Sequence, residues 1–240
     1  MNKVKVGMLV LLLVIGCLSL SAGAMSGGAP PKNVEPVQLG NAYLIDNFES
    51  GSLKSPREWW TFDIKKAGIA PNAGLTAGDE KVAQAVGKYS LALQGNAKSW
   101  YVGGCGTYLA KEGQDLSKYS SLQIDVYGNG EGSGTVKLEL LDDDNKNWQI
   151  EQDAAKSYAP MYDDKYSYSL TVDWNGWKRV TIPFADFVDD NPGVGDDVWN
   201  PQQKDDSGGV LQVQVVCIAP TDKGSVNYNL DNIYLTVQEK

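Results

Sequence analysis

The chain alternates short apolar runs with clusters of Gly, Asn, Asp and Pro, and within the runs the hydrophobic period is two. Leu122, Ile124 and Val126 interleave with Gln123, Asp125 and Tyr127. Val136, Leu138 and Leu140 interleave with Lys137, Glu139 and Leu141, and Leu211, Val213 and Val215 with Gln212 and Gln214. Successive side chains on a strand point to opposite faces, so this pattern gives each strand a face toward a core. It predicts strands over 43–48, 89–94, 100–110, 121–127, 135–142, 166–172, 177–183, 210–219 and 228–237, with turns at 128–132, 142–147 and 173–176. Helical periodicity is scarce, apart from a single turn around Phe184, Asp186 and Phe187. Many short strands bounded by turn residues imply an all-β domain of two packed antiparallel sheets.

The first residues follow a different logic. Lys3 and Lys5 precede the apolar run 6–20, and Ala22, Gly23 and Ala24 form a small-residue cleavage pattern, so residues 1–24 read as an export signal. A second reading stands beside it: Val14, Ile15, Gly16 and Cys17 resemble a lipobox, which would make Cys17 a site of acylation. Residues 25–40, rich in Gly, Pro and small side chains, read as a flexible tether, and residues 41–240 as the β domain. Both readings put the domain outside the cytoplasm: periplasmic, at the cell surface or extracellular in a bacterium, with membrane attachment only through a lipid at Cys17.

Charge narrows the partners. Removal of residues 1–24 takes away two lysines and no acid, so the net charge of −9 falls to −11. A surface of that sign repels phosphate backbones and excludes nucleic acid as the expected partner. Histidine is absent, which removes imidazole acid–base catalysis, Ser-His-Asp and Cys-His nucleophiles, and His-ligated zinc. Cys105 and Cys217 fall in strand segments of an exported chain. They read either as a disulfide stapling the two halves of the fold or as two buried thiols.

Seven Trp and twelve Tyr are a heavy aromatic allotment. A flat ring suits the C–H face of a pyranose, while nearby carboxylates and amides satisfy its hydroxyls. Trp59, Trp60, Trp100, Trp148 and Tyr162, beside turns or polar residues, are the candidate ligand-facing rings, with Asp142 and Asp144 as polar companions; Trp174 and Trp177 read as core. Acidic clusters at 142–144, 163–164, 189–190, 196–197 and 205–206 offer hard oxygen donors on Gly-rich loops, as calcium requires, and equally read as solvated turns. Thirty acids can always supply a carboxylate pair of the kind a glycosidase uses, so such a pair has no specificity here. Gly103, Gly104 and Gly106 lie in a strand with no helix following, which excludes a dinucleotide loop and marks a close approach of backbone or ligand.

Several segments carry a family resemblance: Leu44–Glu49 (LIDNFE), Gly87–Leu91 (GKYSL), Trp100–Gly104 (WYVGG), Asp115–Leu122 (DLSKYSSL), Trp177–Phe184 (WKRVTIPF) and Tyr228–Ile233 (YNLDNI). In this order they resemble family 11 carbohydrate-binding modules and the related galactose-binding-like jelly rolls, including the complex I intermediate-associated protein family. The resemblance implies a jelly-roll β-sandwich with a concave glycan-binding face. It also implies a structural Ca2+ near the joined ends of the domain, where Asp46, Glu49 and Asp231 occupy the matching segments. Asp142–Asp144 and Trp148 stand where the family places an acidic residue over the concave face. The family's basic residue and Tyr after Phe184 are missing, as is its Tyr before Pro220, where Val216, Cys217 and Ile218 stand. These departures point away from cellulose-type specificity. The expected function is therefore a non-catalytic exported module that binds a polysaccharide or cell-surface glycan. The alternative is a structural or assembly protein of the cell envelope, partnered by other envelope proteins, since spirochaete flagellar sheath proteins look like similar jelly rolls.

Overall fold

The computed structural model describes residues 37–39 and 41–237. The export signal and Cys17 lie outside the described residues. In chain order the strands are β1 (Val37–Leu39), β2 (Ala42–Asp46), β3 (Trp60–Phe62), β4 (Lys66–Pro71), β5 (Tyr89–Asn96), β6 (Tyr101–Tyr108), β7 (Ser121–Asn129) and β8 (Gly134–Asp143). They continue as β9 (Gln152–Asp153), β10 (Ala159–Pro160), β11 (Asp164–Val172), β12 (Asn175–Pro183), β13 (Val188–Asp189), β14 (Gly209–Ile218) and β15 (Ser225–Thr236). One short helix, α1 (Glu80–Ala85), falls between β4 and β5. All nine strands expected from the alternation are present within a few residues of their predicted ends. Strand β1 falls inside the segment expected to be a tether and pairs antiparallel with β2.

The strands form a jelly-roll sandwich of two antiparallel sheets. One sheet has seven strands, centred on β15, which pairs with β7 along one side and with β5 and then β2 along the other. The second runs β13-β11-β8-β14-β6-β3. The core fills the space between them: Leu122, Ile124, Val126, Leu91, Leu93, Tyr228 and Leu230 from the first sheet meet Val136, Leu138, Leu140, Val213, Val215 and Cys217 from the second. These are the apolar members of the period-two runs, which explains why the alternation located the strands so well.

Two expectations change here. Cys105 and Cys217 are buried free thiols. They sit on neighbouring strands of one sheet, Cys105 opposite Val215 and Cys217 opposite Gly103, so a bond between them would not join the two sheets. Burial pushes the Cys217 thiol up to about 12, which makes it an unreactive core side chain. Trp59 is also a core residue, 2 % exposed, with its indole N–H donated to Asp46 Oδ2 at 2.9 Å and its ring 5.7 Å from that of Phe48.

The seven-stranded sheet is covered on its outer side. Helix α1, capped by Asp79, whose carboxylate accepts from Lys81 N (2.9 Å) and Val82 N (3.3 Å), lays Val82 and Val86 against Tyr127 and Trp177 in a second small apolar cluster. Trp177, expected in the main core, belongs to this outer cluster instead. Among the described residues no helix covers the six-stranded sheet, and its outer face carries the candidate functional site.

Candidate functional site

On the outer side of the six-stranded sheet, register places Gln212, Gln214 and Val216 of β14 beside Leu141, Glu139 and Lys137 of β8. Lys165 and Ser167 of β11 continue the row. These are the polar halves of the alternating runs. Toward the other edge, β6 contributes Gly104 and Gly106. A Cβ on Gly106 would lie 2.7 Å from the Trp60 ring and one on Gly104 2.7 Å from the Phe62 ring. The glycines thus let two aromatic rings of β3 lie across the strand surface. The Tyr108 ring meets Trp60 edge-on at 5.6 Å, extending the aromatic edge.

The segment preceding β3 is fixed from below. Buried Arg57 donates to Ile45 O at 3.0 Å, to Tyr43 Oη at 2.7 Å and to the Tyr108 carbonyl, tying β2, β6 and the approach to β3 together. Opposite the aromatic edge, the connection from β8 to β11 rises as a wall. Asp143 holds its start by accepting from Trp148 N (2.7 Å) and Asn147 N (3.3 Å), and Asp163 holds its end by accepting from Asp144 N (3.3 Å) and Glu151 N (3.2 Å). The β9–β10 pair forms the crest. Between wall and aromatic edge lies a cleft of about 310 Å³, lined by Phe62, Tyr101, Glu139, Leu141, Gln152, Tyr158, Lys165, Gln214 and Val216 among others.

The floor of the cleft is charged but internally balanced. Lys137 Nζ lies 3.1 Å from Glu139 and 2.6 Å from Asp190, and Lys165 Nζ lies 3.7 Å and 3.0 Å from the same two carboxylates. Burial alone would raise Asp190, but its hydrogen bonds from Lys137 and Lys165 outweigh this and hold it below the usual carboxylate range. At the cleft's end, Tyr101 Oη donates to Asp63 Oδ2 at 2.9 Å, and burial followed by that bond raises its pKa. The result is a groove with rings on one flank and fixed donors and acceptors on its floor, the combination that presents apolar and hydroxyl-matching surface together.

The sequence candidates separate. Trp60 belongs to this face, beside Gln214. Trp100 (50 % exposed) and Tyr162 (55 % exposed) are surface rings that do not line the cleft. Trp148 is half-buried and packed on the core, at the root of the wall. Asp142 is fully buried on the core-facing side of β8, so it cannot meet a ligand on the outer face. Asp144 turns the same way, accepting from Asp164 N at 2.9 Å. Tyr101 and Tyr158, aromatics that sit beside turns or polar residues in the sequence, line the cleft, whereas Phe62, Glu139, Lys165 and Gln214 carry no such mark, although Glu139 and Gln214 stand as the polar members of their runs.

Near the joined ends of the domain, Asp46 is buried and engaged by Phe48 N (2.8 Å) and the Trp59 indole. Glu49 Oε1 accepts from Lys88 N (2.7 Å) and Tyr89 N (2.8 Å). Asp231 is pushed up to about 8, by burial first and then by Asp125 and Glu49, and its Oδ2 has no hydrogen-bond partner.

This fold and face define a β-sandwich of the carbohydrate-binding-module class. Residues 50–237 match the family model of carbohydrate binding domain 30, and the chain belongs to that family. Among solved structures it is similar to the family 11 carbohydrate-binding module from Clostridium thermocellum in complex with a β-1,3-1,4-mixed-linked tetrasaccharide, at 16 % identity over 83 % of this chain and 97 % of that one, with a TM-score of 0.50. It is also similar to the family 30 module of a cellulosomal cellulase of Clostridium thermocellum, at 15 % identity over 78 % of this chain and 95 % of that one, with a TM-score of 0.42. No curated protein sequence matches significantly. The jelly-roll carbohydrate-binding resemblance read from the sequence is thereby met, with family 30 as the family.

Proposed function

We propose that this domain is a non-catalytic module that holds a polysaccharide chain in the cleft on the outer face of the six-stranded sheet. The observation that carries the reading is the placement of Trp60 and Phe62 against Gly106 and Gly104, Phe62 lining the cleft with the polar row Glu139, Gln214 and Lys165 and Trp60 on the same face beside Gln214. A pyranose seated there would put its C–H face on the rings and its hydroxyls within reach of the row. The mixed-linkage β-glucan bound by the structurally similar family 11 module makes β-glucans the first ligands to try. Affinity should be modest, because an open groove buries only part of a chain.

The non-catalytic reading rests on the cleft's carboxylates. Glycoside hydrolysis needs an acid held protonated near neutrality beside an ionised partner. Glu139 and Asp190 instead share two lysines, and Asp190 is pushed the opposite way. The export pattern of residues 1–24 supports a place outside the cytoplasm. The unpartnered Oδ2 of Asp231, near Glu49, supports a structural Ca2+ at the joined ends, with Asp46 in a supporting position.

Affinity electrophoresis in gels containing mixed-linkage β-glucan, soluble cellulose derivatives or xylan tests the binding. Retardation by at least one of them, lost in Trp60→Ala, is the expected outcome. Unchanged mobility in every polysaccharide would sink the reading, and release of reducing ends would sink its non-catalytic part.

A further inference from the structure

Three carboxylates meet at one end of the sandwich, away from the cleft. Asp142 and Asp164 are cross-strand partners on β8 and β11, both with no solvent exposure, and Asp144 follows two residues after Asp142. One carboxylate oxygen from each lies within 4.8 Å of the others. In every case Oδ2 is taken by a main-chain N–H: Asn200 N on Asp142 at 2.7 Å, Asp164 N on Asp144 at 2.9 Å, and Val198 N on Asp164 at 3.0 Å. In every case Oδ1 is buried with no hydrogen-bond partner. The loop between β13 and β14 closes over them. Gly195, with φ of +78°, sits so near that an added Cβ would be 2.2 Å from Asp144 Oδ2 and 2.3 Å from Asp164 Oδ1.

Buried like charges are costly unless something of opposite sign neutralises them. Among the described residues no lysine or arginine forms an ion pair with this trio. Burial first, then the neighbouring acids, pushes Asp142 up to about 8, Asp164 to about 7 and Asp144 to about 6. The unpartnered oxygens and the missing counter-charge have one common remedy, a cation. We propose that Asp142, Asp144 and Asp164 form a binding site for a divalent cation, which their free Oδ1 atoms ligate beneath the Gly195 loop.

Calcium is the ion of choice. It accepts an irregular set of carboxylate and carbonyl oxygens, whereas magnesium retains several waters in a strict octahedron, for which a buried site closed by a glycine has little room. The site lies on the core-facing side of strands whose outer side floors the cleft. It is also built from different residues than Asp46, Glu49 and Asp231. A cation here would clamp the β13–β14 loop to the ends of β8 and β11, so its measurable effect is on stability.

The full chain, stripped with EGTA, is melted with and without millimolar CaCl2 and titrated with CaCl2 by calorimetry. The expected result is a rise of roughly 5 °C in Tm with Ca2+. The double variant Asp142→Asn/Asp164→Asn should melt in EGTA no lower than wild type, because repulsion is relieved, and should lose most of the rise, keeping at most a share from the joined ends. Glu49→Gln/Asp231→Asn should retain most of the rise. Should the double variant fail to fold, the half-buried Asp144→Asn serves instead, with Ca2+ affinity lowered at least tenfold. Identical Tm of wild type in Ca2+ and EGTA would overturn the proposal. So would a full Ca2+ response in Asp142→Asn/Asp164→Asn or in Asp144→Asn, or its loss only in Glu49→Gln/Asp231→Asn.

Discussion

The two outer faces of the sandwich are built from the same alternating strands and end up with opposite fates. On the seven-stranded sheet, the outward residues Tyr127 and Trp177 pack edge-to-face at 5.5 Å beneath Val82 and Val86 of α1. Beside them Arg179 forms a two-pronged bond to Asp125, with both contacts at 2.7 Å, and Asn232 adds a third at 2.9 Å. On the six-stranded sheet the outward residues line a cleft between a wall and an aromatic edge, with Glu139, Gln214 and Phe62 themselves buried and Tyr101, Lys165 and Val216 half-buried. The segment between β4 and β5 converts one outer face into a second small core, and among the described residues no helix covers the other. Outward-pointing aromatics therefore pack beneath a helix on one sheet and flank the cleft proposed for a glycan on the other.

The comparison can be broken by substitutions that should affect one face and spare the other. The largest effect is expected from Trp177→Ala, which empties the covered face. It should lower unfolding free energy by about 3–5 kcal/mol in urea titrations and leave polysaccharide mobility shifts unchanged. A shift lost at full folding would mean that the covered face also binds. Next, Arg179→Ala removes the partner of Asp125, which has no solvent exposure. A loss of about 2–3 kcal/mol is expected, below the full cost of an uncompensated buried charge because Arg179 is itself 39 % exposed.

On the open face, Trp60→Ala should weaken glycan binding about tenfold, or ~1.4 kcal/mol, with a smaller change in stability. Calorimetric titration with the retarding polysaccharide reads the first and urea unfolding the second; unchanged affinity would remove Trp60 from the ligand surface. The smallest effect concerns Asp190→Asn. Because Lys137 and Lys165 depress the pKa of Asp190, its stabilisation is present above the unfolded-state value of ~4 and is lost as pH falls through the lower folded value. Wild type should exceed the variant by under about 1 kcal/mol at pH 6, and the gap should close near pH 2. A gap that persists at acid pH would show that the loss is one of packing.

Adjacent residues show how far the sequence could be read. Trp59 and Trp60 were equivalent as turn-adjacent tryptophans, yet the first fills the core and the second lies on the open face. Strand parity separates them, but β3 spans three residues, too few for its period to stand out. Helix α1 escaped notice for the same reason, with six residues and one buried side chain. Asp142 and Asp144 read as loop acids over a ligand face, and pairing with Asp164 through the β8–β11 register turned them inward.

What the sequence determined by itself was the alternation, and with it nine of the strands, the two-sheet sandwich and the core-facing residues of the clearly alternating runs, because side-chain direction on a strand is a local property of the backbone. What only the tertiary structure decided was which outer face a short helix would cover, which tryptophan would meet solvent, and that residues 142, 144 and 164 would share one pocket. Those outcomes depend on cross-strand register and loop closure, which bring distant residues together and leave no mark on the local pattern.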